Sequence, residues 1–196
     1  MPDFDTSVPH IARVYDYWLG GKDNFAADRA MGERTLQAYP NLVFSVRANR
    51  AFLARTVRFL SGQGTRQFLD IGTGIPTASN THEVAQHIAP ESRIVYVDND
   101  PVVLSHAKAL LKSTPEGACA YIDADLRDPD TILAGAAETL DFGQPIAVML
   151  IAVMHFIGDD AEASAIISRR RPPAGPAVTS CSRTRPATST PSRWPR

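Results

Sequence analysis

The chain has 196 residues, 44% hydrophobic and 21% charged, enough for one domain with a full core. Its formal charge of −1 hides an asymmetry: from Ser168 onward there are seven Arg and no acid, so the first 167 residues carry 13 basic against 21 acidic side chains. An acidic body argues against nucleic acid as the partner. Two cysteines give no disulfide framework, and the longest apolar run, residues 146–154, is far too short for a membrane span. With no apolar stretch at the N-terminus either, a cytoplasmic protein that does not enter membranes is expected.

Residues 9–62 read as helical, a cap or lid region. PHIARVYDYWLGG carries Ile11, Val14, Tyr15 and Trp18 at helical spacing and stops at Gly20-Gly21. Residues 23–39 form a second helix, ended by Pro40. Residues 43–60 form a third, with Phe44, Ala48, Phe52, Ala54, Val57 and Leu60 expected on the buried face and Arg47, Arg50, Arg55 and Arg58 largely off it.

The rhythm then alternates. Strands are expected at 67–71, 93–97, 118–122 and 146–153, and helices at 80–88, 101–112, 129–140 and 159–167, with Asp100 capping the second of these. Such alternation predicts an α/β fold with a parallel sheet covered on both faces, over residues 63–168. Residues 169–196 hold six prolines and no apolar periodicity, which reads as disorder.

In an open α/β sheet the ligand sits at the carboxyl ends of the strands. Here FLDIGTGIP supplies the turn, with Gly72 and Gly74 letting a ligand approach the backbone. A dinucleotide site wants a third glycine, where this chain has Thr77, and a turn free of negative charge. Asp70 suits an ammonium group instead. The second strand ends in YVDND, placing Asp98 to accept from ribose hydroxyls, with Asn99 beside it. The third runs into DADL, where Asp125 suits an adenine amine and the Leu126 N–H a ring nitrogen. An ammonium, a ribose and an adenine without phosphate describe S-adenosylmethionine.

DIGTGIPTASNTHEVAQ, IVYVDNDPVVLSHAKALL and AYIDADLRDP, preceded by ARVYDYWLGGKDNFAADR and VRANRAFLARTVRFL, closely resemble an actinobacterial family of S-adenosylmethionine-dependent methyltransferases of mostly uncharacterised substrate. The resemblance runs over residues 9–167. It implies a class I, Rossmann-like fold, Asp70, Gly72 and Gly74 around the methionine part, Asp98 on the ribose, and Asp125 with Leu126 at the adenine. It also implies a methyl acceptor, a small molecule whose identity the residues do not give. Two other classes compete: a cofactor-binding protein without transferase activity, and a nicotinamide-dependent oxidoreductase, against which Asp70 and the missing glycine both speak.

Tyr15, Tyr17, Lys22, Asn24 and Phe25 surround Gly20-Gly21, either as a cofactor lid or as a packed helix end. Asn49 and Arg50 divide in the same way between cofactor contact and solvated helix face. His155, after the fourth strand, is a candidate for orienting or deprotonating the acceptor. HEVAQH is not a zinc motif, because His82 and His87 lie five apart and on different helix faces. His10 and His106 show no partners in the sequence.

Methyltransferases of this class continue with a fifth strand and a hairpin, which this chain is expected to lack. Reading codons 178–184 one frame over permits Tyr-Leu-Val-Leu-Ser-His, a buried-strand pattern, so the tail is expected to be out of frame and the fourth strand left as an edge.

Overall fold

The structure, a computed structural model, describes residues 5–110, 112–169 and 179–182. Three helices come first: α1 (Ile11–Leu19), α2 (Ala26–Ala38) and α3 (Leu42–Gly62). Then follow β1 (Gln67–Ile71), α4 (Thr81–Ile88), β2 (Arg93–Asp98), α5 (Pro101–Leu110), β3 (Ala118–Asp123), α6 (Pro129–Ala136), β4 (Ile146–Leu150), α7 (Asp160–Arg169) and β5 (Thr179–Ser182). The sheet is wholly parallel, in the order β3-β2-β1-β4-β5. This is the Rossmann-like arrangement, with its crossover at β1.

Strand residues alternate between two cores, as a two-residue period requires. Leu69, Ile71, Val95, Val97, Val148 and Leu150 meet Ile132 and Ala136 of α6 and Ile166 of α7. Phe68, Ile94, Tyr96, Ala147 and Met149 meet Leu53, Val57 and Leu60 of α3 and Val84 and Ala85 of α4. Helix α3 therefore packs directly on the sheet. No helix among the described residues is long and apolar enough to cross a membrane.

Three expectations change. The buried stripe of α3 is Val46, Leu53, Val57 and Leu60, while Phe44 is 72% exposed. Val57 and Leu60 are buried as expected and Leu53 joins them against the sheet, while Val46 packs on α1 and Phe44 and Ala48, expected inside, face outward. β4 stops at Leu150, because Ala152 takes a positive φ of 58° and turns the chain out of the sheet. The third change concerns the sheet edge. A fifth strand is present: Thr179–Ser182 pairs parallel with β4, Val148 opposite Ser180, so β4 is not the edge. This strand coincides with the run that the alternate frame would make apolar. Helix α7 also continues to Arg169; the remaining tail residues, 170–178 and 183–196, lie outside the described residues.

Candidate functional site

A cavity opens at the carboxyl ends of β1, β2 and β4. One face of α1 covers it, because Ala12, Tyr15, Asp16 and Leu19 fall on adjacent turns. From α3 it receives Asn49, Arg50 and Leu53. These continue the buried stripe of α3 upward from the sheet, and they turn polar where the stripe leaves the core.

The β1 turn supplies two left-handed glycines, Gly72 at φ 71° and Gly74 at φ 68°. Gly72 N–H donates to the Val97 carbonyl at 2.8 Å, folding the turn across the end of β2. A Cβ on Gly72 would come within 2.6 Å of Val153 Cγ2, whereas one on Gly74 would meet nothing within 4 Å. The space beside Gly74 is therefore open.

Asp98 closes the far side. Its Oδ1 accepts from the N–H groups of Asn99 (2.9 Å) and Asp100 (3.1 Å), and its Oδ2 from Gly74 N–H at 2.8 Å. An ionised carboxylate has about four acceptor sites, so one remains, on Oδ2. Burial pushes this carboxyl above its ordinary range, and the Gly74 and Asp100 donors oppose that. Asp70 lies buried at the end of β1, with Thr81 Oγ donating to its Oδ2 at 2.6 Å. Burial raises it too, against the Thr81 hydrogen bond and the charge of Arg50.

Arg50 reaches the Ala78 carbonyl at 3.3 Å and Asn80 Oδ1 at 3.4 Å, both at the long limit of a hydrogen bond. Tyr15 lines the cavity and donates its hydroxyl to the Val46 carbonyl at 3.2 Å. The structure thus brings Tyr15, Arg50, Asp70, Gly72, Gly74, Asp98 and Asn99 together around one cavity.

Three candidates fall outside its lining. Asp125 is half-exposed and accepts from Arg127 N–H (2.7 Å) and from the Asn99 amide (3.2 Å), which ties it to the rim. Leu126 is buried in the core beneath. His155 is exposed and its ring lies tilted by 45° against that of Phe156, with centroids 4.0 Å apart; Phe156 lines the cavity instead. Of the set around Gly20-Gly21, Lys22 is exposed, Tyr17 meets Glu33, and Phe25 lies under the Arg13 guanidinium.

Several residues have more to do than their sequence context suggests. His10 has a partner: its Nδ1 lies 2.7 Å from Asp100 Oδ2. The Ala12 N–H also approaches that nitrogen, at 3.4 Å, but the shorter contact governs, with Nδ1–H donating to the carboxylate. Arg13 lies 3.3 Å from the same oxygen and 3.7 Å from Asp28 Oδ1, and His10 N–H donates to Asp28. Asp100 is thus a helix cap and also the anchor of α1. Burial pushes its carboxyl up, and His10, the Val102 N–H and Arg13 bring it below its ordinary value. His106 also has a partner, Asp23, at 3.4 Å. His82 Nδ1 sits 2.8 Å from the Tyr96 hydroxyl. No sequence signal marks these pairs, because the partners lie far apart in the chain.

Residues 1–189 match the family described as S-adenosyl methyltransferase. Two solved structures are similar. A DUF574 family protein from Streptomyces avermitilis shares 50% identity over 85% of this chain and 64% of its own, with a TM-score of 0.82. A candidate methyltransferase from Thermobifida fusca shares 46% identity over 87% of this chain and 64% of its own, with a TM-score of 0.79. The chain therefore spans 64% of the length of these relatives. No curated protein matches. The family match takes in the glycine turn, the two strand-end acids and the α1 cover that together form the cavity, and the chain belongs to the S-adenosyl methyltransferase family.

Proposed function

We propose that the chain is an S-adenosylmethionine-dependent methyltransferase acting on a small-molecule acceptor. One observation carries the reading: the cavity ends on a buried carboxylate with a vacant acceptor site, Asp98 Oδ2, beside a glycine turn with open space. A pyrophosphate would face Asp70 and Asp98 together, which is repulsive. A sulfonium nucleoside fits the same walls.

Asp98 and Asn99 would hold the ribose, and Gly74 would let the ligand approach the turn. Arg50, whose two hydrogen bonds are long and reach neutral oxygens, would take the methionine carboxylate. Asp70 orders the turn into α4 through Thr81 and adds negative charge under the ammonium. Asp125, tied to Asn99, would meet the adenine at the rim, with Leu126 in the core beneath it. The bound cofactor supplies an electrophilic methyl group; the residues supply placement, and transfer to a good nucleophile needs little more than alignment.

Calorimetry with S-adenosylhomocysteine and with NAD tests this. The first should bind more tightly, and Asp98→Ala should cost about 1.5–3 kcal/mol, roughly a tenfold to hundredfold loss of affinity. Tighter binding of NAD, or unchanged affinity in a folded Asp98→Ala variant, would refute the assignment. Turnover with a panel of acceptors separates a transferase from a protein that only binds the cofactor.

A further inference from the structure

The proposed cofactor contacts leave one buried carboxylate in the cavity wall unused. Asp16 is 4% exposed and lies on the cavity face of α1, one turn after Ala12. Both of its hydrogen bonds arrive at Oδ2, from Asn24 Nδ2 at 2.8 Å and from Asp23 N–H at 3.0 Å. Asn24 is itself fixed: its amide also donates to the Gly21 carbonyl at 3.0 Å, and Arg29 donates to its Oδ1 at 3.1 Å. The chain Arg29–Asn24–Asp16 therefore sets the carboxylate's orientation and leaves Oδ1 without a donor among the described residues. Neither of its hydrogen-bond partners is a cation.

The other two cavity acids are assigned to the cofactor end: Asp70 accepts from Thr81 at Oδ2, and Asp98 accepts from three backbone N–H groups and keeps its last site for the ribose. Burial, helped by the Asp23 charge, holds Asp16 above the usual carboxylate range, against the Asn24 and Asp23 N–H donors and nearby His106. A buried carboxylate oxygen with unmet capacity favours an N–H or a positive charge and repels an anion. An acceptor amine suits it better than a hydroxyl. The amine keeps an N–H to donate while its lone pair attacks, and the charge that grows on nitrogen is positive. A phenol or alcohol would have to give up its single proton first.

Resting on the methyltransferase reading above, we propose that Asp16 is the acceptor-binding residue and that the acceptor is an amine, its N–H directed at Asp16 Oδ1. The nitrogen lone pair forms the N–C bond to the methyl carbon as the C–S bond breaks, with that electron pair going to sulfur. The products are a methylated ammonium, its charge facing Asp16, and S-adenosylhomocysteine. No proton moves in the step, and Asp16 stabilises the positive charge as it develops on nitrogen.

The full chain and its Asp16→Asn variant are compared by calorimetry. One ligand is S-adenosylhomocysteine; the other is its analogue with an amine-bearing carbon in place of sulfur, which sets an ammonium where the methyl would point. The native chain should prefer the amine analogue by about tenfold or more, the scale of a charge-assisted hydrogen bond. Asp16→Asn should abolish that preference and leave S-adenosylhomocysteine affinity unchanged. A preference that survives in Asp16→Asn overturns the proposal, as does a loss of S-adenosylhomocysteine affinity in a variant that melts like the native chain. A panel of amines, phenols and carboxylic acids with labelled cofactor needs no variant: transfer confined to amines is expected, and transfer to a phenol or an acid overturns it. If the native chain binds neither nucleoside, the methyltransferase reading falls, and this proposal with it.

Discussion

Gly72 and Gly74 have nearly the same backbone and opposite surroundings, which makes them a matched pair. Ala at either position must hold a left-handed φ, at about 1–2 kcal/mol. At Gly72 the added Cβ also comes within 2.6 Å of Val153 Cγ2 and 2.9 Å of its Cβ. That β-branched neighbour yields only by moving the β4 loop, an overpacking cost of about 1–3 kcal/mol. Gly72→Ala should therefore lose about 2–5 kcal/mol, a large part of the ~5–15 kcal/mol that holds a domain folded. At roughly 2–4 °C per kcal/mol for a chain of this size, its melting temperature should fall by about 4–20 °C. Gly74→Ala bears the strain alone, about 2–8 °C, but puts its methyl into the open space beside the turn. It should lose more affinity for S-adenosylhomocysteine than its small loss of stability suggests. Thermal unfolding and calorimetry on both variants decide. Equal melting temperatures, or a Gly74→Ala variant that binds like the native chain, would refute the geometry of the turn.

Burial raises the Asp70 carboxyl above 3.8 in the folded state, so the native chain binds more protons than the unfolded one between 3.8 and the raised value. Stability should then fall as pH rises through that window, and Asp70→Asn should flatten the fall in urea titrations; a steeper fall would contradict the assignment. His10→Ala should speed hydrogen exchange across α1 by removing its hold on Asp100, and unchanged exchange would show that packing alone fixes the helix. Replacing residues 178–183 by the alternate-frame run Tyr-Leu-Val-Leu-Ser-His should raise the melting temperature and solubility, since each buried Leu or Val contributes about 1.5–3 kcal/mol. A variant that melts lower or aggregates more would show that the present strand is the fitting one.

The alternation of short apolar strands with capped helices made the sheet and its helices legible, because strand and helix periods differ and Pro, Gly and Asp mark the ends. The strand-end residues Asp70, Gly72, Gly74, Asp98 and Asn99 were legible for the same reason: once the strands are placed, the sheet carries their ends to one side. In helix α3 Val57 and Leu60 were legible but the first turns were not, because Phe44 and Ala48 on one face and Val46 and Leu53 on the other satisfy the same spacing. What separates the faces is a partner the sequence does not display. The polar break at Asn49 and Arg50 in the true stripe marks where the sheet ends and the cavity begins. His155 was placed by the length assumed for β4, and the early turn at Ala152 presents Phe156 to the cavity instead. The His10–Asp100 and Arg13–Asp28 contacts joined residues too distant in sequence for any local pattern to pair them.

The anchoring of α1 has a thermodynamic consequence. Asp100 N–H is held by the same Asp98 carboxylate that has one acceptor site left at the cavity, and Asp100 Oδ2 holds His10. Cover and ligand site therefore share one short stretch of backbone, residues 98–100. Whatever factor a bound ligand adds to closure of α1, closure must return to the ligand, since coupling between two binding equilibria is reciprocal. If only a fraction of molecules is closed, the apparent affinity is scaled down by that fraction. A substitution at Arg13, which does not line the cavity, would then tune the affinity for the proposed nucleoside through the population of closed molecules rather than through a ligand contact.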